Sequence, residues 1–132
     1  MKRNILIVLG LCIGLLAAVI PSFAHHAIAA EFDTTKPIKF EGTVKSVDWM
    51  NPHIYVNIDA KENGKTITYS VEGGPPNSLF RQGWRPDSLK VGDKVTVSGV
   101  RAKKPESNRI GQAQITMPDG RIFARGGGNN QQ

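Results

Sequence analysis

IKFEGTVKSVDWMNPHIYVNID, residues 38–59, is the stretch on which the fold turns. Ile38, Phe40, Gly42 and Val44 alternate with Lys39, Glu41, Thr43 and Lys45, the period of two that a half-buried strand requires. The parity then flips, with Val47 and Trp49 as the apolar members, which predicts a β-bulge or strong bend around Lys45 and Ser46. Asn51-Pro52 is a turn signal. Beyond it Ile54, Val56 and Ile58 form one apolar side, and His53, Tyr55, Asn57 and Asp59 the other. A long first strand that curls midway suits a small closed barrel.

Downstream the alternation continues. Glu62-Asn63-Gly64 has hairpin chemistry, because Asn and Gly tolerate positive φ, and Ile67, Tyr69 and Val71 then face inward opposite Thr66, Thr68 and Ser70. From Pro76 to Trp84 the spacing of Leu79, Phe80 and Trp84 is helical, with Asn77 or Ser78 as the cap and Gly83 as the stop. Leu89 to Asp93 reads as a tight turn. Val95, Val97 and Val100 belong to a fourth strand, and Ile110 to Ala124 to a final strand pair turning at Pro118-Asp119-Gly120. The expected fold is therefore all-β with one short helix: a five-stranded, OB-like antiparallel barrel with the helix between its third and fourth strands. Trp49, Trp84 and Phe80, beside turns, are assigned to packing.

Upstream the chain changes character. Lys2 and Arg3 precede Ile5 to Ile20, which runs 16 residues without a charge before Pro21. This order is that of a signal peptide, and the run falls short of the roughly 20 residues a permanent span needs. Small residues offer two cleavage sites, Ser22-Phe23-Ala24 and Ala27-Ile28-Ala29, and the first, close behind Pro21, is preferred. The expected organisation is a cleaved signal peptide at 1–24, an extended arm at 25–37, the OB-like domain at 38–125 and a disordered tail of Gly, Asn and Gln at 126–132. A periplasmic or secreted location follows, with no permanent membrane anchor after cleavage.

Composition narrows the chemistry further. Cys12 is the only cysteine and lies in the apolar run, so the mature domain has no thiol for a disulfide or a zinc-thiolate site. Leu11 before it argues against lipidation. Without Lys2 and Arg3, the remaining 15 basic and 11 acidic residues leave a net charge of +4, too mild to identify a nucleic-acid binder.

Four strings, AHHAIAAEFD at 24–33, GTVKSVDWMNPHIYVNID at 42–59, GGPPNSLFRQGW at 73–84 and LKVGDKVTVSGVRAK at 89–103, together resemble a family of small exported bacterial proteins. That family, mostly proteobacterial, is known as a domain of unknown function. The resemblance covers most of the mature chain. It implies an exported OB-like domain and brings no characterised activity with it. Family members commonly carry Ser where Ala27 stands, so no role for that hydroxyl carries over.

Three groups of residues are candidates for function. The first is the histidine set, His25, His26 and His53, the three histidines of the chain. Cut after Ala24, the protein would begin His25-His26, and an N-terminal amine beside an imidazole chelates Cu(II), a metal that favours nitrogen sites. Glu31 and Asp33 are nearby oxygen donors. The competing reading makes His25 and His26 a solvated arm and His53 a turn residue. The second is the outer sheet face, where His53, Tyr55 and Asn57 line up with Thr66, Thr68 and Ser70. With one aromatic and no Lys or Arg, this face suits a glycan or peptide better than a single-stranded nucleic acid, or it is simply the wet side of a sheet. The third is a basic loop of Arg101, Lys103, Lys104 and Arg109, which would meet anionic lipid headgroups or polyanions, or else be a solvated turn.

No nucleophile with a base, no paired carboxylates and no nucleotide-binding glycine pattern is recognisable. The sequence therefore points to a non-enzymatic binding module, holding Cu(II) or another divalent metal through its histidines. The alternative is an interaction domain for a protein or envelope polymer, with incidental histidines.

Overall fold

A computed structural model of the chain describes residues 29–123. The expected signal peptide at 1–24, the preferred cleavage site after Ala24, Cys12, His25, His26 and the tail at 126–132 lie outside the described residues, which touch the second cleavage site only at Ala29. Two compact units meet in sequence at Glu31 and Phe32, and the sheet lies wholly in the second.

The described residues hold six strands and one short helix within the sheet domain, β1 (Phe32–Asp48), β2 (Tyr55–Glu62), β3 (Lys65–Glu72), α1 (Pro76–Arg81), β4 (Lys94–Ala102), β5 (Arg109–Thr116) and β6 (Ile122–Phe123), and residues 29–31 of the expected extended arm are helical. They pair in the order β3-β2-β1-β4-β5-β6. Every neighbouring pair in that order is antiparallel. A short parallel contact, Ser70 with Arg109 and Val71 with Ile110, joins β3 to β5 and closes five strands into a ring. The two-residue β6 hangs on the outside of that ring as the partner of Ile115 and Thr116. The nearly all-β class and the single helix agree with the sequence.

The predicted bend in β1 is a register shift. Val44 pairs with Ile58 and Ser46 with Asn57, so Lys45 is the extra residue and the apolar side changes parity there. This is how one 17-residue strand can serve two neighbours, β4 along its first half and β2 along its second. Gly42 is needed for the curl: a Cβ there would stand 2.5 Å from Ile58 Cγ2 and 2.7 Å from the Asp59 carbonyl oxygen.

β1 begins at Phe32, ahead of the Ile38 start expected from the sequence. Phe32 is buried and pairs with Ala102, and the register then slips before resuming at Pro37 and Val100. Asp33 organises the slip, accepting hydrogen bonds from the Thr35 amide at 3.0 Å and its hydroxyl at 2.6 Å. A proline, which has no N–H to donate, is tolerated beside such an irregularity.

Glu62 pairs with Lys65 across Asn63 and Gly64. Both connecting residues have positive φ, 50° and 78°, as a two-residue type I′ turn demands. At α1 the expected cap is not used. Pro75 precedes the helix with Pro76 in its first turn, no side chain caps it, and Asn77 and Ser78 lie inside. Proline at the start lacks an amide that would otherwise go unsatisfied, which reduces the need for a cap. Gly83, at φ 89°, ends the helix as expected.

The core is the inner wall of the ring, with Val44, Val56, Ile58, Val71, Val97 and Ile115 all at 1 % exposure or less. Leu79 and Trp84 enter it from the helical segment, and Trp84 meets Phe123 edge to face at 4.8 Å. Among the described residues no polar or charged side chain is buried. Tyr69 fits this rule by sending its hydroxyl out of the core to Glu62 and toward Arg101. Burial lifts the Tyr69 hydroxyl above the usual tyrosine range, the Glu62 hydrogen bond adds to this, and Arg101 opposes it.

Candidate functional site: the outer face at His53 and Glu72

The antiparallel register of β2 and β3 sets Tyr55 opposite Glu72, Asn57 opposite Ser70, Asp59 opposite Thr68 and Lys61 opposite Thr66. Alternation puts these pairs on the outside of the ring. Three of the predicted face residues, Tyr55, Asn57 and Thr68, are fixed there by side-chain hydrogen bonds. Thr66 is exposed near the hairpin.

Asn57 Nδ2 donates to Ser46 Oγ and to Asp48 Oδ2, both at 2.9 Å. The Lys45 bulge makes this possible, because it turns Ser46 and Asp48 to the same side as Asn57. Thr68 donates to Asp59 Oδ1, and Lys45 Nζ reaches Thr68 Oγ1 at 3.2 Å.

His53 lies just before β2, with Nδ1 2.8 Å from Glu72 Oε1. The other oxygen of Glu72 accepts from an Arg109 nitrogen at 2.9 Å, and the same nitrogen donates to the Tyr55 hydroxyl at 3.1 Å. The guanidinium lies 5.3 Å from the Tyr55 ring centroid and 5.8 Å from that of Phe32, within cation–π reach of both. Glu72, with a side chain 18 % exposed, thus sits between an imidazole and a guanidinium that are 40 % and 36 % exposed. Bridged this way the carboxylate fixes the orientation of His53 through Nδ1, and among the described residues Nε2 has no hydrogen-bond partner.

Two expectations about charge need correction. The outer face does carry cations: Lys61 lies on β2 itself, opposite Thr66, and Lys45 and Arg109 join it from elsewhere. Lys45 reaches it from the bulge, and Arg109 arrives through the β3–β5 contact, a long-range pairing that no local pattern announces. Nor do the four basic residues form one loop. Arg101 belongs to β4 and bonds toward Tyr69 and Glu62, Arg109 opens β5 and bonds to Glu72, and only Lys103 and Lys104 lie in the connection. The strands run further than their apolar residues suggested, and each arginine is drawn to a carboxylate on the ring.

The residue that sequence reading missed is Glu72. It continues the outward series Thr66, Thr68, Ser70 by one more step, so the alternation itself was the available signal. Among the described residues no group of three or more His, Cys, Asp or Glu side chains converges as a metal site would.

A family described as being of unknown function, DUF6152, matches residues 13–112. The chain belongs to that family. The DUF6152 match takes in β1 through β4 and reaches into β5, so His53, Tyr55, Asn57, Glu72 and Arg109 all fall within it. No curated protein and no solved structure matches the chain.

Proposed function

We propose that this DUF6152 protein is an exported, non-enzymatic binding module of the periplasm, built on an OB-type ring, and that its ligand is a divalent metal, Cu(II) foremost. The observation that supports this is the 2.8 Å contact between His53 Nδ1 and Glu72. A carboxylate on one ring nitrogen is the usual outer partner of a ligating imidazole, since it fixes the tautomer and raises the basicity of the other nitrogen. The nitrogen donors are then His53 Nε2 and, once a signal peptide is cut after Ala24, the free amine and rings of His25 and His26. Copper(II) ranks first among divalent first-row metals for such nitrogen ligands.

The test uses the untagged protein, exported by its own signal and purified without chelators, because an added residue destroys an N-terminal amine chelate. Native mass spectrometry should give a chain starting at His25 with one copper retained. Titration with Cu(II) should lose tight binding in His25→Ala and weaken in His53→Ala. A chain starting at Ala30, or one starting at His25 that stays metal-free with copper added, overturns the metal reading.

The second reading has its own support. The Arg109 guanidinium lies 5.3 and 5.8 Å from the Tyr55 and Phe32 ring centroids and is held by Glu72, a preformed surface suited to a protein or envelope polymer. Under that reading Tyr55→Ala and Asn57→Ala abolish capture of the partner, and the histidine variants do not.

A further inference from the structure

Beside α1 a pair of aromatic rings reaches the surface through Phe80, while Trp49 is partly buried against the core. The Trp49 and Phe80 rings meet edge to face at 5.6 Å, and the Arg85 guanidinium lies 4.7 Å above Phe80. Phe80 is 43 % exposed, and Met50, the neighbour of Trp49 in the chain, is 52 % exposed. The sequence assigned Phe80 to packing, but a six-residue helix buries only one side, and Leu79 occupies it.

Arginines lie beside this apolar group. Arg81 ends α1 and is exposed; Arg85 donates to the carbonyls of Phe80 and Trp84 at 3.1 and 2.7 Å, which fixes its charge beside the ring. Arg121 lies over Trp84 at 5.5 Å, with Asp119 paired to it at 2.7 Å. The segment between the helix and β4 holds two acids, Asp87 and Asp93, and Asp93 accepts from the Lys90 amide at 2.9 Å. Among the described residues no carboxylate forms an ion pair with Arg81 or Arg85.

We propose that this end docks reversibly on an anionic lipid membrane, with Phe80, Met50 and the edge of Trp49 entering the headgroup region and Arg81 and Arg85 meeting phosphates. Charge complementarity selects that occupant: Arg81 and Arg85, with no carboxylate ion pair among the described residues, accompany an exposed phenyl ring and an exposed thioether. Tryptophan settles at the bilayer interface, phenylalanine inserts its apolar ring at the headgroup boundary, and basic residues beside them add electrostatic attraction. With few side chains inserted, docking is shallow and salt-sensitive.

The experiment is flotation of the full exported protein, untagged, with vesicles of phosphatidylglycerol and phosphatidylethanolamine, against vesicles of phosphatidylcholine alone. The wild type should float with the anionic vesicles only, with a blue shift of tryptophan emission, and high salt should release it. Arg81→Glu and Phe80→Ser should each weaken binding roughly tenfold or more. Lys39→Glu, an equal charge change on the exposed side of β1, should bind as the wild type does. Circular dichroism confirms that each variant is folded. Absence of binding to anionic vesicles overturns the proposal, and so does an equal loss in Lys39→Glu and Arg81→Glu, which would mean net charge alone is read.

Discussion

Along β2, the inner and outer sides of one strand follow different rules. Val56 and Ile58 are fully buried in the apolar core, whereas Tyr55, Asn57 and Asp59 are partly exposed and each is fixed by a named hydrogen bond or ring contact. The inner side asks for volume and shape; the outer side asks for particular partners. Stability should therefore be concentrated inside and recognition outside, and substitutions separate the two.

The largest effect should come from the inner wall. Ile58→Ala removes buried methyl groups that the closed ring cannot easily fill, and should cost about 2–5 kcal/mol, with an unchanged denaturant slope. Gly42→Ala presses on the same place from β1 and should cost about 1–3 kcal/mol. The double variant gives the sharper measurement. Ile58→Ala removes one of the two close contacts at Gly42, but the Asp59 carbonyl at 2.7 Å is backbone and stays. Urea unfolding of the double variant should show at most partial compensation. Full compensation would mean that the backbones of β1 and β2 do not approach this closely.

On the outer side the expected losses are smaller. Glu72→Ala strips His53 and Arg109 of their shared carboxylate, but both partners are more than a third exposed and water replaces much of what is lost. A loss of about 1–2 kcal/mol is expected. Arg109→Ala should lose a similar amount, and the double variant less than the sum, because the two share one interaction. Strict additivity by thermal unfolding would break the claim that His53, Glu72, Arg109 and Tyr55 act as one group.

The same division explains what could be read from the sequence. Inner positions announced themselves by periodicity: Val44, Ile54, Val56, Ile58, Tyr69 and Val71 were all identifiable as core, and the parity flip after Val44 located the bulge. Outer positions were named in part, since Tyr55, Asn57 and Thr68 follow from alternation. Their partners did not follow. Arg109 meets Glu72 across 37 positions in the chain, and only closure of β3 onto β5 brings them together. The extended arm expected at 25–37 likewise ended at Pro37, whose missing amide matters locally, while the burial of Phe32 that carries β1 past it depends on β4 and β5.

The smallest predicted effect has the opposite sign. Gln112 is exposed on β5 with φ 49°. Val100 pairs with Gly111 and Ser98 with Gln114, so β5 carries one residue more than β4 across this interval. The left-handed backbone that absorbs the extra residue costs an ordinary side chain about 1–2 kcal/mol, and no buried contact repays it. Gln112→Gly removes that strain and adds back some freedom to the unfolded chain, about 0.5–1 kcal/mol. The net result should be a gain of up to about 1 kcal/mol, seen as a modest rise in melting temperature. Gln112→Ala retains the strain and should show no such gain. The contrast between the two isolates backbone conformation from anything the glutamine side chain does. If glycine destabilises as much as alanine, the bulge is not strained, and the outer side of β5 is held by the glutamine itself.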